Sequence, residues 1–158
     1  MKKLTIIFCL LMTLNSCTND SKENQLDLLA GSWEKTEIME NNSLSQSLQY
    51  KFNTDKTFIV STVIINNATT EIIGYRYRAL GSYSINGNVL VLNLSEIYTH
   101  DDTTGLFSNI NDLELLNNDG IQIITFSINR NQNVLTFTYP PCGTAEICID
   151  TQSFQRIY

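Results

Sequence analysis

Gly81-Ser82-Tyr83-Ser84-Ile85-Asn86-Gly87-Asn88-Val89-Leu90-Val91-Leu92-Asn93-Leu94 is the stretch whose reading decides the fold. Asn-Gly between two alternating apolar runs is a strong hairpin signal, because a type I′ turn needs positive φ at both central residues. Tyr83 and Ile85 alternate on one arm, Leu90, Leu92 and Leu94 on the other. One face of each arm is therefore apolar and one is not, which is how a half-buried antiparallel sheet reads. The same rhythm extends in both directions. Strands are expected over residues 31–39, 48–52, 57–65, 69–85, 88–97, 121–128, 133–139 and 149–158. Residues 40–47, rich in Asn and Ser, read as a loop, as do the turns at 53–56, 66–68 and 129–132. Gly74 or Gly81 marks a bulge or bend within the long fourth strand. Residues 98–120 break the rhythm, with a short helix expected over 112–116; a connection this long is usually functional or disordered.

Eight strands in a meander with period-2 burial argue for an all-β domain. The expected architecture is an eight-stranded antiparallel up-and-down barrel. A two-sheet sandwich is the rival, but it needs crossover connections for which most loops here are too short. Phe58, Val60, Thr62 and Ile64 share one side of the third strand. Tyr75, Tyr77, Ala79, Tyr83 and Ile85 share one side of the fourth if no bulge intervenes, and Leu135, Phe137 and Tyr139 share one side of the seventh.

The N-terminus carries a different signal. Met1-Lys2-Lys3 precedes a short apolar run over residues 4–14, the parts of a secretory signal peptide and too short to span a bilayer. Leu14-Asn15-Ser16-Cys17 resembles the lipobox of bacterial lipoproteins. The resemblance implies removal of residues 1–16, a thioether-linked diacylglycerol on Cys17 and two or three acyl chains, palmitate among them, which together hold a protein durably where one does not. It implies a membrane-anchored lipoprotein of the cell envelope, the outer membrane being the expected surface. Residues 17–27 then read as the acylated cysteine and a polar tether, with one helical turn possible over 26–30.

Charge and cysteines follow the same compartment. The formal charge of the 158-residue chain is −6, and loss of Lys2 and Lys3 takes it to −8. So acidic a domain has no basic footprint for nucleic acid and gains nothing from an anionic lipid surface, leaving the anchoring to the lipid. Cys142 and Cys148 remain as an even pair in an exported chain, which reads as a disulfide worth roughly 2.4 kcal/mol. A metal site is the alternative, short of nearby ligands.

Leu28-Leu29-Ala30-Gly31-Ser32-Trp33 opens the domain as a lipocalin does, with a short turn and then a G-x-W strand. Tyr50-Lys51-Phe52-Asn53-Thr54-Asp55-Lys56-Thr57-Phe58 resembles a hairpin of bacterial lipocalin-like lipoproteins, with Lys56 where glycine often follows the aspartate. The Asn86-Gly87 hairpin is similar to that family's central one. The resemblance covers residues 28–158. It implies that Arg156 in the last strand lies over Trp33, so that first and last strands close the barrel, and that relatives bind small apolar molecules inside.

Phe58, Tyr75, Tyr77, Tyr83, Phe126 and Phe137 are the candidate ligand-lining residues; they either line an apolar cavity with hydroxyl handles or plug the barrel. The chain shows no G-x-S-x-G, H-E-x-x-H or phosphate-binding glycine loop. It reads as non-enzymatic, and no cofactor is implied. His100-Asp101-Asp102 is either an oxygen-rich cation site or a solvated charge cluster. Arg76 and Arg78 face outward, toward an acidic partner or solvent. Two functions stay open. One is a membrane-tethered domain that binds a small apolar ligand or serves a structural role. The other is a protein-interaction module, an inhibitor or accessory subunit, acting through residues 98–120 and 140–149.

Overall fold

The computed structural model describes residues 20–40, 42–116, 119–141 and 150–158. Cys17, Cys142 and Cys148 lie outside the described residues. α1 (Asp20–Leu29) precedes nine strands: β1 (Gly31–Ile38), β2 (Leu44–Phe52), β3 (Thr57–Asn66), β4 (Ile72–Asn86), β5 (Val89–Thr99), β6 (Glu114–Leu116), β7 (Gly120–Ile128), β8 (Val134–Thr138) and β9 (Thr151–Ile157). Among the described residues the chain is all-β apart from α1 and a 3₁₀ turn at Ile110–Asp112. None of the described helices is long and apolar enough to cross a membrane.

Neighbouring strands pair antiparallel from β1 through β5, then β5 with β7, β7 with β8, β8 with β9, and β9 back with β1. The sheet thus returns on itself through eight strands. β6 lies in line with β7 along the same side of β5, so the two act as one interrupted strand. Trp33 pairs with Tyr50 on one side and Arg156 on the other, the juxtaposition a two-sheet sandwich would not make.

The ring has two ends. α1 and the turns after β2, β4 and β7 sit at one, the helix end. The far end carries the turns after β1 and β3 and the connections after β5 and β8. Inward residues fill the helix end: Trp33, Phe52, Phe58, Tyr83, Leu90, Ile124, Leu135, Phe137 and Phe154 are buried together with Leu29 of α1. Burying each such side chain is worth about 1.5–3 kcal/mol. The aromatic rings touch, Tyr50 edge-on to Phe137 and Phe154 at 5.3 Å and Phe52 edge-on to Tyr83 at 5.2 Å.

Several expected elements shift. β2 starts at Leu44, inside the expected 40–47 loop, because its polar residues find partners: Thr36 Oγ1 donates to Ser47 Oγ at 3.0 Å and Ser45 Oγ to Asn67 Oδ1 at 2.7 Å. α1 begins at Asp20, so helix replaces much of the expected tether. The helix expected over 112–116 is a 3₁₀ turn followed by β6. Gly87 takes positive φ (59°) while its neighbours Asn86 and Asn88 do not, so the hairpin has the φ pattern of a II′ turn and not the expected I′. Bulges do occur at both expected glycines. The β4–β5 register shifts between Leu80 and Gly81, where a Cβ would stand 2.0 Å from Asn93 O. The β3–β4 register shifts on both sides of the Gly74–Ile64 pair. The first of those shifts makes Arg76 an extra residue and sets Tyr75 opposite Val63.

Candidate functional site

The closed end is built on main-chain groups that α1 leaves open. The last carbonyls of a helix lack intrahelical partners. Trp33 Nε1 donates to Leu29 O at 2.8 Å. Arg156 Nη1 donates to Ala30 O at 3.0 Å, Nη2 donates to Leu28 O, and Nε donates to Gln132 O at 2.7 Å. The guanidinium carbon lies 4.1 Å from the Trp33 ring centroid, a cation–π contact over a fully buried indole. Gly31 makes room for this. Its φ is 126°, and a Cβ there would come 2.9 Å from Nη1. The G-x-W opening is therefore a geometric requirement: a left-handed residue that side chains avoid, then the indole the arginine covers.

Above this plug the inward face changes character. Tyr139 Oη donates to Gln152 Oε1 at 3.1 Å, and the Tyr50 hydroxyl lies beside Tyr139. Burial, then the neighbouring Tyr139 and Tyr77, pushes the Tyr50 hydroxyl far above the ordinary tyrosine range. Burial likewise raises Tyr77 and Tyr139. All three stay protonated, so the group presents neutral donors and acceptors. Leu48, Tyr77, Ile97, Tyr139 and Gln152 around it are half-buried, not sealed. β1 pairs with β9 only from Ser32 to Glu34, so its remainder, Lys35 to Ile38, has no β9 neighbour. The ring is open on that side among the described residues. Lys35, opposite Leu48 on the inward face, ion-pairs with Glu37 at 2.7 Å.

Four of the six candidate lining residues fall in the filled half: Phe58, Tyr83, Phe126 and Phe137 are all buried in one cluster. The Tyr83 hydroxyl is used up on Asn53 O at 2.7 Å, and burial with the Asp55 charge pushes it to about 12. Tyr77 alone faces the open half. Tyr75 is a correction. Cross-strand partners share a face, and Val63 lies on the face opposite Val60 and Thr62, so the bulge at Arg76 takes Tyr75 off the inward set. Tyr50, Tyr139 and Gln152 were missed as a site. Tyr139 closes an alternating strand and Tyr50 sits beside Phe52, but only the register shows that they meet.

His100 also differs from both sequence expectations. It is buried, with Nε2 donating to Gly105 O at 2.8 Å and Nδ1 accepting from Ser108 Oγ at 2.7 Å. Ser108 then exchanges both main-chain hydrogen bonds with Tyr75. The histidine folds residues 101–107 into an excursion that rejoins the line of β5. Asp102 pairs with Arg76 at 2.8 Å, and Asp101 accepts from Thr103 N and Oγ1, which lowers its carboxyl. No cluster of three metal-ligating side chains occurs among the described residues. A groove of about 950 Å³ runs over Gly81 and Gly120, lined by Phe58 and Leu94 of the inward set together with Ile59, Leu80, Asn93 and Ile121 of the outer face. No family model matches the chain, and no curated protein matches it closely enough to stand as a relative.

Proposed function

We propose that the protein is a cell-envelope lipoprotein, anchored through acylated Cys17, whose lipocalin-like barrel holds a small, largely apolar molecule in its far half. The role is binding, not catalysis. One observation carries it: the Tyr139 hydroxyl, donating to Gln152 and set beside the buried Tyr50, forms a polar floor on a filled aromatic core, with half-buried Leu48, Ile97 and Tyr77 beside it. A few placed polar groups in an apolar surround orient a ligand that apolar contact holds. The filled helix end limits it to a compact molecule with one hydroxyl or carbonyl for the tyrosines.

Native mass spectrometry of the protein purified from its own cell tests this. A retained small molecule is expected, and Tyr139→Phe with Gln152→Leu should release it while the fold persists. A wild-type chain that arrives bare would overturn the ligand. Cys17→Ser tests the anchor separately: membrane release or blocked processing is expected, and retention with normal processing would overturn it.

A further inference from the structure

The far end exposes a second feature that the ligand site does not use. β6 and β7 run one after the other along β5, but on their other side β8 begins its ladder only at Thr125, opposite Thr138. Among the described residues nothing pairs with that other edge over residues 114–124. In an antiparallel ladder alternate residues turn both main-chain groups to the same neighbour. Phe126 N–H donates to Asn88 O, so Gly120, Gln122 and Ile124 serve β5, and Ile121 and Ile123 turn N–H and C=O to the open edge. Their side chains, 72% and 54% exposed, lie on the outer face with Leu115, also 54% exposed.

Natural sheet edges are guarded by charge, above all lysine, by proline or by brevity. Here β6 is short, but neither lysine nor proline guards the edge. Residues 99–129 hold no Lys, Arg or Pro. They hold acids instead: Asp112, Glu114 and Asp119 are exposed along the edge, and none makes an ion pair among the described residues. An open ladder, an apolar outer face and unneutralised carboxylates beside it describe one kind of occupant.

We propose that the edge over residues 114–124 accepts an extended segment of a partner protein as an added strand, a segment apolar on one face and basic at its ends. Main-chain hydrogen bonds to Ile121 and Ile123 supply affinity, and Leu115, Ile121 and Ile123 with the three carboxylates supply selectivity.

The test uses the full chain and two labelled peptides of alternating valine and threonine, one flanked by lysines and one by glutamates. Fluorescence anisotropy should show the lysine peptide binding and the glutamate peptide weaker by roughly tenfold or more. Hydrogen exchange should slow at the Ile121 and Ile123 amides. Ile123→Pro removes an edge N–H that β5 does not use, so it should abolish binding with unchanged far-UV circular dichroism. If that variant fails to fold, Ile121→Lys with Ile123→Lys should give the same loss through charge and lost apolar contact. Equal binding of both peptides, equal binding by the folded variants, or no binding by the wild type would overturn the proposal. So would a dimer in sedimentation equilibrium that Ile123→Pro makes monomeric, since the occupant would then be a second copy.

Discussion

At the helix end Trp33 lies between Tyr50 and Arg156 in continuous register, and the carbonyls left over by α1 are taken by two side chains. At the far end β3 and β4 slip twice, β1 loses β9 beyond Glu34, and β7 has no β8 beside it before Thr125. The two ends share one sheet and differ in what happens to main-chain polar groups. Closure is achieved where side chains satisfy them. Opening is achieved, among the described residues, where a ladder stops while its strands continue, as between β1 and β9 beyond Glu34 and between β7 and β8 before Thr125. A sheet that returns on itself can thus be a sealed core at one height and an accessible surface a few residues further along the same strands.

The contrast breaks most visibly at Trp33. Trp33→Ala should cost about 3–5 kcal/mol in denaturant unfolding, the range for a buried large-to-small change. A loss under about 1 kcal/mol would mean that the helix end does not hold the ring. Arg156→Ala should cost less, about 2 kcal/mol, from its hydrogen bonds to carbonyls and its contact with the indole. Arg156→Lys should recover less than half of that, because an ammonium cannot reach Leu28, Ala30 and Gln132 together. Full recovery would show that charge alone matters.

A pH scan sharpens the difference. Tyr50 and Tyr83 keep their protons above the ordinary range in the folded chain, Tyr83 up to about 12. Tyrosine in the unfolded chain ionises near pH 10. Between these values the unfolded state has released protons the folded state retains, so stability falls as pH rises, and is unaffected by these groups below about pH 9. Melting temperatures should decline steeply from about pH 10 upward, and Tyr83→Phe should flatten part of the decline. A wild-type decline that Tyr83→Phe leaves as steep would show that Tyr83 is not among the groups being titrated.

The smallest effect concerns the turn between β2 and β3. Lys56 sits at φ 67°, in the left-handed region, with its N–H on Asn53 O. Glycine avoids the Cβ strain there, so Lys56→Gly should raise stability by about 0.5–1 kcal/mol. A loss would mean that the lysine side chain contributes more than its backbone strain costs.

Much of the fold was legible because its determinants are local. Alternation announced the hairpins, Gly74 and Gly81 announced the slips, and the pairing of Trp33 with Arg156 followed from closing the ring. What was hidden depends on partners far along the chain. Ser45 and Ser47 look like loop residues until Asn67 and Thr36 bond them. His100 looks like a charge cluster with its aspartates until Ser108 and Gly105 claim both ring nitrogens. Tyr75 reads as inward until one extra residue turns it. Tyr139 reads as the end of a strand until Tyr50 is found beneath it. Period-2 arguments carry no information about register between strands, and the candidate site is made of register.

Arg156 has a consequence for the order of events in making the molecule. Its Nη2 contact with Leu28 O spans 128 positions, nearly the whole domain. The helix end has no clasp until Arg156 has left the ribosome. Contacts this distant in sequence form late and slow folding. A nascent chain short of Arg156 therefore lacks the contact that closes the helix end. The residue that locks the ring therefore also sets how late that lock can form.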